Sequence, residues 1–318
     1  MCLYTTYRTR KRMLIVRYSA AFVDSTADIS MHNNSLYTKP VKIIRLAFGP
    51  VVIPSSELNT LGNAIAEFVK NRKSDVSIEF GSIRIDTARR VLLHLHGKTN
   101  NIRNLHVRLM NMLPDVSTSF GRRLWEPSFV PQLSSFMSIS RTLTKLDLGV
   151  IPNMPAALSE IIVQQGTLSN VRWSTLGDGV NKNEMYADIA RFIRINSTYG
   201  GRITHLDIEF GTLNDIPTSI CEALSNDCTI REFHIDVGTP ELPLTILESL
   251  EMIVAKSTNV ELIYQSNSTL SWVGDEHKLE NKPVLKNALM INSMDRSLFI
   301  DERSHRRWKA KTKCCMFP

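Results

Sequence analysis

Two short stretches of the chain alternate ionisable residues with apolar ones, a period of two that indicates β-strands. The ionisable residues are His205, Asp207 and Glu209 in the first stretch and Glu232, His234 and Asp236 in the second. On adjacent parallel strands, spaced about 4.8 Å apart, each histidine would face a carboxylate and Glu209 would face Asp236. Such a grid could bind a metal ion, could bind a Lys or Arg side chain of a partner, or could be a solvated surface with protonated histidines.

No pattern of a known catalytic or cofactor site accompanies this grid. The chain lacks the G-x-S-x-G, H-E-x-x-H, dinucleotide-binding and Walker patterns. Residues 97–99, Gly-Lys-Thr, resemble the end of a phosphate loop, but Leu92 occupies the position of its first glycine. His94 and His96 lie two apart on a predicted helix and point in different directions. Because these patterns are missing, we expect no cofactor and no enzymatic activity. A hydrolase would need a convergent arrangement of Ser, His and Asp.

The two stretches belong to a pattern, apolar-x-x-apolar-x-apolar, that recurs about every thirty residues. Its clear copies are Val41, Ile44, Leu46; Ile102, Leu105, Val107; Leu143, Leu146, Leu148; Leu168, Val171, Trp173; Ile203, Leu206, Ile208; and Ile230, Phe233, Ile235. Weaker copies lie at Val76 with Ile78 and at Val260 with Ile263. Four copies continue to a glycine, namely Gly49, Gly81, Gly211 and Gly238. Glycine adopts left-handed backbone angles without steric cost, so these glycines predict a turn after the strand.

Apolar residues at helical spacing follow most of these strand motifs. The predicted helices contain the segments Leu58 to Val69, Ala88 to Leu95, Leu158 to Val163, Met185 to Ile195, Ile220 to Leu224 and Leu244 to Val254. Asp86 is a candidate N-cap, and Pro217 suits a first helical turn. Prolines between Met112 and Pro131 indicate an inserted loop.

Because strand and helix alternate in each repeat, residues 41–265 resemble the leucine-rich-repeat family, specifically its ribonuclease-inhibitor-like subtype. The resemblance implies an α/β fold, a leucine-rich-repeat solenoid (horseshoe) with a parallel concave sheet and convex helices. It also implies that a protein partner binds the concave face. Glycine replaces the family's Asn or Cys after the strand, so the family's side-chain ladder is expected to be missing. An ordinary doubly wound α/β domain is the alternative.

Residues between the apolar positions of each motif would line the concave face. The earlier motifs would contribute mostly basic residues, namely Arg45, His106, Arg108, Lys145 and Arg172, interrupted by Asp75, Glu79 and Asp147. Together with the grid, these basic residues form the candidate partner-binding surface. We predict a protein-interaction scaffold whose partner could contribute a basic segment. A substrate-recognition subunit of a ubiquitin ligase is an alternative, because such repeats often follow an F-box, although residues 1–40 contain no Leu-Pro box. A hydrolase with an unrecognised site is a third.

The formal net charge of +7 resides in two segments that contain no acid. Five basic residues lie within residues 1–23 and six within residues 303–318, which leaves −4 for residues 24–302. We therefore predict a basic, flexible N-terminal arm over residues 1–40, a repeat body over residues 41–265, and a C-terminal cap with a basic tail over residues 266–318. Nucleic-acid binding by the body is not expected. The run from Arg303 to Lys313 could be a nuclear localisation signal or could dock on the acidic part of the grid.

Cysteine usage and the lengths of apolar runs favour a cytoplasmic protein. Five cysteines without a C-x-x-C pair argue against a disulfide framework and a zinc site. The longest apolar runs are too short for a membrane span, and Met13 to Val16 is too short for a signal-peptide core. The Arg-rich start leaves a mitochondrial presequence open, and Cys315 at the fourth position from the end leaves prenylation open.

Overall fold

The computed structural model describes residues 2–8, 13–19, 43–47, 55–71, 76–83, 85–95, 102–109, 130–151, 154–175, 181–211, 213–227, 229–238, 242–254, 270–271, 273 and 282–293. The chain divides into two compact units. Unit 1 comprises residues 1–152 and 164–168, and unit 2 comprises residues 153–163 and 169–318.

The described residues of unit 1 form six strands and three helices. The strands are β1 (Cys2–Arg8), β2 (Met13–Ser19), β3 (Ile43–Ala47), β4 (Val76–Ile83), β5 (Ile102–Leu109) and β6 (Lys145–Val150). The helices are α1 (Ser55–Lys70), α2 (Ile85–Leu95) and α3 (Val130–Ile139). Strand β1 pairs antiparallel with β2, and β2 to β6 then pair in parallel in chain order.

Unit 2 continues the alternation of strands and helices. Its strands are β7 (Asn170–Ser174), β8 (His205–Glu209) and β9 (Glu232–Asp236), which pair in parallel in chain order. Its helices are α4 (Ala156–Gln164, whose last residue belongs to unit 1), α5 (Lys182–Thr198), α6 (Thr218–Ser225), α7 (Leu244–Val254) and α8 (Pro283–Ser293).

The seven strands from β3 to β9 alternate with helices, and within each unit they pair in parallel in the order of the chain. This confirms the predicted α/β class and fits a repeat protein. Consecutive strand order differs from the doubly wound arrangement, in which the order reverses at a switch point. None of the helices in the described part of the chain has the length and apolar character needed to cross a bilayer.

The apolar positions of the repeat motif form the core. Leu146, Val171, Leu206 and Phe233, the middle residues of four copies, are at most 1% exposed. Helices close the core on the buried face of each sheet: Trp173 of β7 makes an edge-to-face contact with Phe192 of α5, with ring centroids 5.1 Å apart. The strand motif therefore specifies one buried face, and the residues between its apolar positions lie on the other.

A buried polar side chain near the carboxyl end of a helix holds the loop that leads into the next strand. Gln165, after α4, accepts hydrogen bonds from the backbone N–H groups of Thr167 and Leu168 at 2.9 and 2.7 Å. Its Nε2 donates to the carbonyl of Ser140, which precedes the adjacent motif, at 2.6 Å. One side chain thus satisfies two backbone donors and joins neighbouring repeats.

Asn196 and Asp227 play the same part in unit 2. Asn196 of α5 donates to the carbonyl of Ile203 at 2.9 Å and accepts from its N–H at 3.2 Å. Asp227, after α6, accepts from the N–H groups of Thr229 and Ile230 at 3.0 and 2.6 Å. We call Gln165, Asn196 and Asp227 the loop brackets. The leucine-rich-repeat resemblance predicts a polar residue after the strand, where this chain has glycine. The loop brackets are buried polar residues that lie before the strand instead.

Glycines with positive φ end several strands. Gly211 (φ 72°) and Gly238 (φ 68°) follow β8 and β9, as the sequence predicts, and Gly149 (φ 69°) lies near the end of β6. The N–H of Gly238 donates to Oδ1 of Asp236 at 2.9 Å, and Gly149 makes the same bond to Asp147 at 3.0 Å. The prediction that Gly81 ends its strand is wrong, because β4 continues to Ile83.

Two strands lie within residues 1–40, for which the sequence indicates a flexible basic arm. Residues Met13 to Arg17 of β2 pair in register with Ile43 to Ala47 of β3. The run Met13 to Val16 therefore extends the sheet by one parallel strand, and β1 adds an antiparallel one. The apolar and β-branched residues from Met13 to Val16 suit a strand. The sheet therefore does not begin at residue 41.

Leu270, Ser271 and Val273 occupy the next repeat position after β9. The N–H of Ser271 donates to the carbonyl of Arg231 at 2.7 Å, just as the N–H of Arg231 donates to Thr204 at 2.8 Å. Leu270 and Val273 are buried and keep the apolar-x-x-apolar spacing. The sequence placed this copy at Val260 and Ile263, which lie outside the described residues.

Helices α3 and α8 were not predicted. Helix α3 includes Pro131, which stands in its first turn, where the missing N–H has no helical partner in any case. The side chain of Asn292, in α8, donates to the carbonyl of Leu270 at 2.8 Å and so resembles the loop brackets. Asp86 lies inside α2, which begins at Ile85, and is not its N-cap.

Candidate functional site

Strands β8 and β9 bring the six ionisable residues of the grid together in unit 2. Their register pairs His205 with Glu232, Asp207 with His234 and Glu209 with Asp236, as the sequence predicts. On both strands the apolar residues are buried and the ionisable ones half-buried. Arg172 of β7 stands beside Asp207 in the same register. We call the exposed side of β7 to β9 that bears these seven residues the polar face.

His205 and Glu232 form the first pair across the strands. Nε2 of His205 lies 2.9 Å from Oε1 of Glu232, and the two side chains are 37% and 43% exposed. Nδ1 of His205 lies 2.8 Å from Oγ1 of Thr204. In the neutral tautomer that donates to Glu232, Nδ1 accepts the threonine hydroxyl proton, and in the protonated ring both nitrogens donate.

His234 and Asp207 form the second pair, with the histidine on the opposite strand. Nδ1 of His234 lies 3.0 Å from Oδ1 of Asp207, and Nε of Arg172 lies 3.5 Å from Oδ2 of the same carboxylate. The hydrogen bond to Asp207 raises the pKa of His234; burial opposes this, the charges of Asp207 and Asp236 add to it, and that of Arg172 opposes it. The imidazolium form is therefore favoured in this pair.

Glu209 and Asp236 face each other at the strand ends without a histidine between them. One oxygen of Asp236 accepts the N–H of Gly238 at 2.9 Å. The side chain of Glu209 has no hydrogen bond or ion pair with any residue that the structure describes, and its β7 neighbour is Ser174. This row therefore carries two carboxylates whose charges no neighbouring cation offsets among the described residues.

The basic residues expected on the earlier strands belong to unit 1, apart from Arg172. Arg45 of β3 is bound to Glu79 of β4, with its NH2 atom 2.6 Å from Oε2, so this guanidinium is already paired. Lys145 lies half-buried in β6. The prediction that Asp147 interrupts the basic surface is wrong, because this residue is 4% exposed and bonds the turn at Gly149.

His106 and Arg108 occupy backbone positions in β5, where His106 pairs in register with Glu79 and with Asp147. Their side chains lie outside the described residues, as does Asp75. Among the residues described, no group of three or more His, Cys, Asp or Glu side chains is placed to hold a metal ion.

Thr204, His205 and Glu232 form a hydroxyl, imidazole and carboxylate in hydrogen-bonded order. A hydrolase uses such an order, together with donors for an oxyanion and a cavity for its substrate.

A surface groove of about 450 Å³ lies elsewhere in unit 2, between α6 and α7. Its lining includes Cys221, and burial and then the charge of Asp215 raise the pKa of this thiol to about 11. A thiol of that pKa is a poor nucleophile near neutral pH.

The sequence missed the loop brackets and the groove. A signal for the brackets was present, since Gln165 and Asp227 each precede the first apolar residue of a strand motif by three positions. The groove had no such signal, because it depends on how two helices pack.

Comparison of the chain with models of known protein families and with curated proteins finds no match. The leucine-rich-repeat resemblance therefore rests on the repeat motif and on the parallel strands and helices described above.

Proposed function

We propose that this chain is a protein-interaction scaffold of the leucine-rich-repeat type, and that its partner binds the polar face of strands β7 to β9. One observation carries the proposal: two adjacent strands each present three ionisable side chains in register on the face opposite the core. Ionisable residues are disfavoured on strands that are covered on both faces, so this face suits contact with water or with a polar partner.

The order and exposure of these groups support binding of a protein. The six side chains lie on rigid strands whose alternate residues are anchored in the core, so little conformational entropy is lost when a partner orders them. Two pairs across the strands, His205 with Glu232 and His234 with Asp207, are already formed. Polar groups fixed in this way provide specificity for a partner with complementary charges.

The test compares the proteins retained by the parent chain with those retained by two charge-reversed variants. Asp207→Lys/Asp236→Lys alters the polar face, and Glu160→Lys/Glu222→Lys makes the same change of charge on exposed helical positions of unit 2. A genuine partner is lost by the first variant and retained by the second. Titration of the purified partner into each variant must give the same ranking of affinities, and equal affinity for all three proteins would reject the proposal.

A further inference from the structure

The two histidines of the polar face lie on different strands, and each contacts a carboxylate on the other strand. His205 on β8 contacts Glu232 on β9, whereas His234 on β9 contacts Asp207 on β8. Each imidazole already has a carboxylate at hydrogen-bonding distance, so gaining a proton converts a hydrogen bond into an ion pair in the same geometry. His234, whose pKa is raised by its bond to Asp207, can thus gain a proton without a change of register.

Protonation changes the net charge of this face substantially. The charged groups around His234 among the described residues are Asp207 and Glu209 on β8, Glu232 and Asp236 on β9, and Arg172 on β7. With both imidazoles neutral, the four carboxylates and one guanidinium give a net charge of −3. With His234 protonated, which adds one positive charge, the net charge is −2. The face is therefore acidic in both states and more so when His234 is neutral.

The structure also indicates where a cation would bind. Asp207 is shared by Arg172 and His234, and Glu232 is engaged by His205. Glu209 has no side-chain partner in the described residues, and Asp236 uses one oxygen for the turn at Gly238. A Lys or Arg side chain placed between these two carboxylates would relieve their repulsion and find unused acceptors.

We propose that the polar face binds an extended Lys- or Arg-bearing segment of a partner protein between Glu209 and Asp236, and that protonation of His234 weakens this binding. This proposal rests on the proposed function and specifies the chemistry of the partner and its regulation. Complementarity of charge selects a basic segment, because the face is negative in every protonation state of its histidines. Fewer net negative charges attract such a segment less strongly.

The test uses the full chain and a fluorescein-labelled oligolysine peptide, with anisotropy measured at constant ionic strength from about pH 5.5 to about pH 8.5, across the imidazole titration. One half-buried positive charge, on His234, disappears over this range, so we expect the peptide to bind roughly twofold to fivefold more tightly at the upper end. A labelled oligoglutamate peptide serves as the probe of opposite charge and should show no binding.

Three double variants separate docking from regulation. Glu209→Gln/Asp236→Asn removes the two carboxylate charges that would attract the cation and should abolish most of the peptide binding, while the Asn oxygen can still accept from Gly238. Glu160→Gln/Glu222→Gln removes two exposed carboxylates from helices and should bind like the parent. His205→Gln/His234→Gln should bind at all pH values with an affinity that no longer follows the imidazole titration.

The possible failures are distinguishable. Equal peptide binding by the parent and by Glu209→Gln/Asp236→Asn would overturn the docking site. An unchanged pH dependence in the histidine variant would overturn the regulation and leave the docking site in place. A further variant replaces Arg306, Arg307 and Lys309 with Gln. If this variant binds the peptide more tightly than the parent does, the chain's own basic segment occupies the site, and the assignment to a separate partner is wrong.

Discussion

Nδ1 of His234 lies 3.0 Å from Oδ1 of Asp207 on the neighbouring strand. The hydrogen bond between them raises the pKa of His234 in the folded protein above its ordinary value of about 6.5. A raised pKa means that folding favours the protonated imidazole. Its contribution to stability is therefore fully present below about pH 6.5 and is lost as the pH rises through the folded-state pKa.

We expect Asp207→Asn to return the pKa of His234 toward its ordinary value. Proton-detected NMR titration of the His234 ring measures this directly, and chemical denaturation at several pH values measures the linked stability. The parent should lose more stability than the variant as the pH rises from about 6 to about 8. Replacement of Glu160, an exposed acid on α4, by Gln is the control and should leave the titration of His234 unchanged.

Substitutions at Asp227 test how much the loop brackets contribute to the stability of the protein. Asp227→Ala leaves the N–H groups of Thr229 and Ile230 without their acceptor, and each buried donor left unpaired costs about 1–3 kcal/mol. Asp227→Asn should destabilise the protein less, because its amide oxygen can still accept both N–H groups, as that of Gln165 does. Urea denaturation measures both variants. Glu222→Ala, an exposed change in the neighbouring helix α6, should stay within about 0.5 kcal/mol of the parent.

Deletion of residues 1–19 tests whether β1 and β2 belong to the folded sheet. The deletion exposes the edge of β3, so the melting temperature should fall and self-association should rise. Calorimetry and light scattering measure the two effects. Deletion of residues 303–318, which removes six basic residues and no described element, is the control. Identical melting of the two truncated proteins would show that these strands contribute nothing to stability.

Cys221 should alkylate slowly. With a pKa of about 11, its thiol is almost wholly protonated at pH 8, and the thiolate is the reactive form. Iodoacetamide labelling resolved by peptide mass spectrometry should show that its rate increases steadily up to about pH 11. The variant Asp215→Asn removes the carboxylate charge that adds to the effect of burial, so its labelling should increase at a lower pH. A rate that levels off near pH 8 would contradict the burial of this thiol.

The strand positions and the register of the polar face could be predicted because the signals are local and repeat. The triplets around Leu146, Leu206 and Phe233 fix which residues face the core, and equal spacing on successive strands aligns them. The alignment of His205 with Glu232 and of Asp207 with His234 followed from that spacing alone. Periodicity in the sequence therefore determined most of the α/β fold and the grid.

The remaining features depend on contacts between distant residues, which periodicity does not encode. Pairing of β2 with β3 involves segments separated by residues 20–42 in the chain, and only the sheet shows that they are adjacent. Asp147 has the same position in its motif as Asp207, yet it is buried and bonds a turn, because the surroundings of the two strands differ. Side-chain identity at a motif position thus did not determine exposure.

The strand starts in unit 2 are joined by backbone bonds that run in one direction: Thr204 donates to Ser169, Arg231 to Thr204, and Ser271 to Arg231. Each of these bonds joins only two neighbouring repeats, so loss of the bond at Ser271 need not break the bonds at Arg231 and Thr204. Amide protons should then exchange with deuterium fastest at Ser271, more slowly at Arg231 and slowest at Thr204. Such a gradient would mean that the array frays from its last strand inward, so that β9, which carries His234, opens before β8.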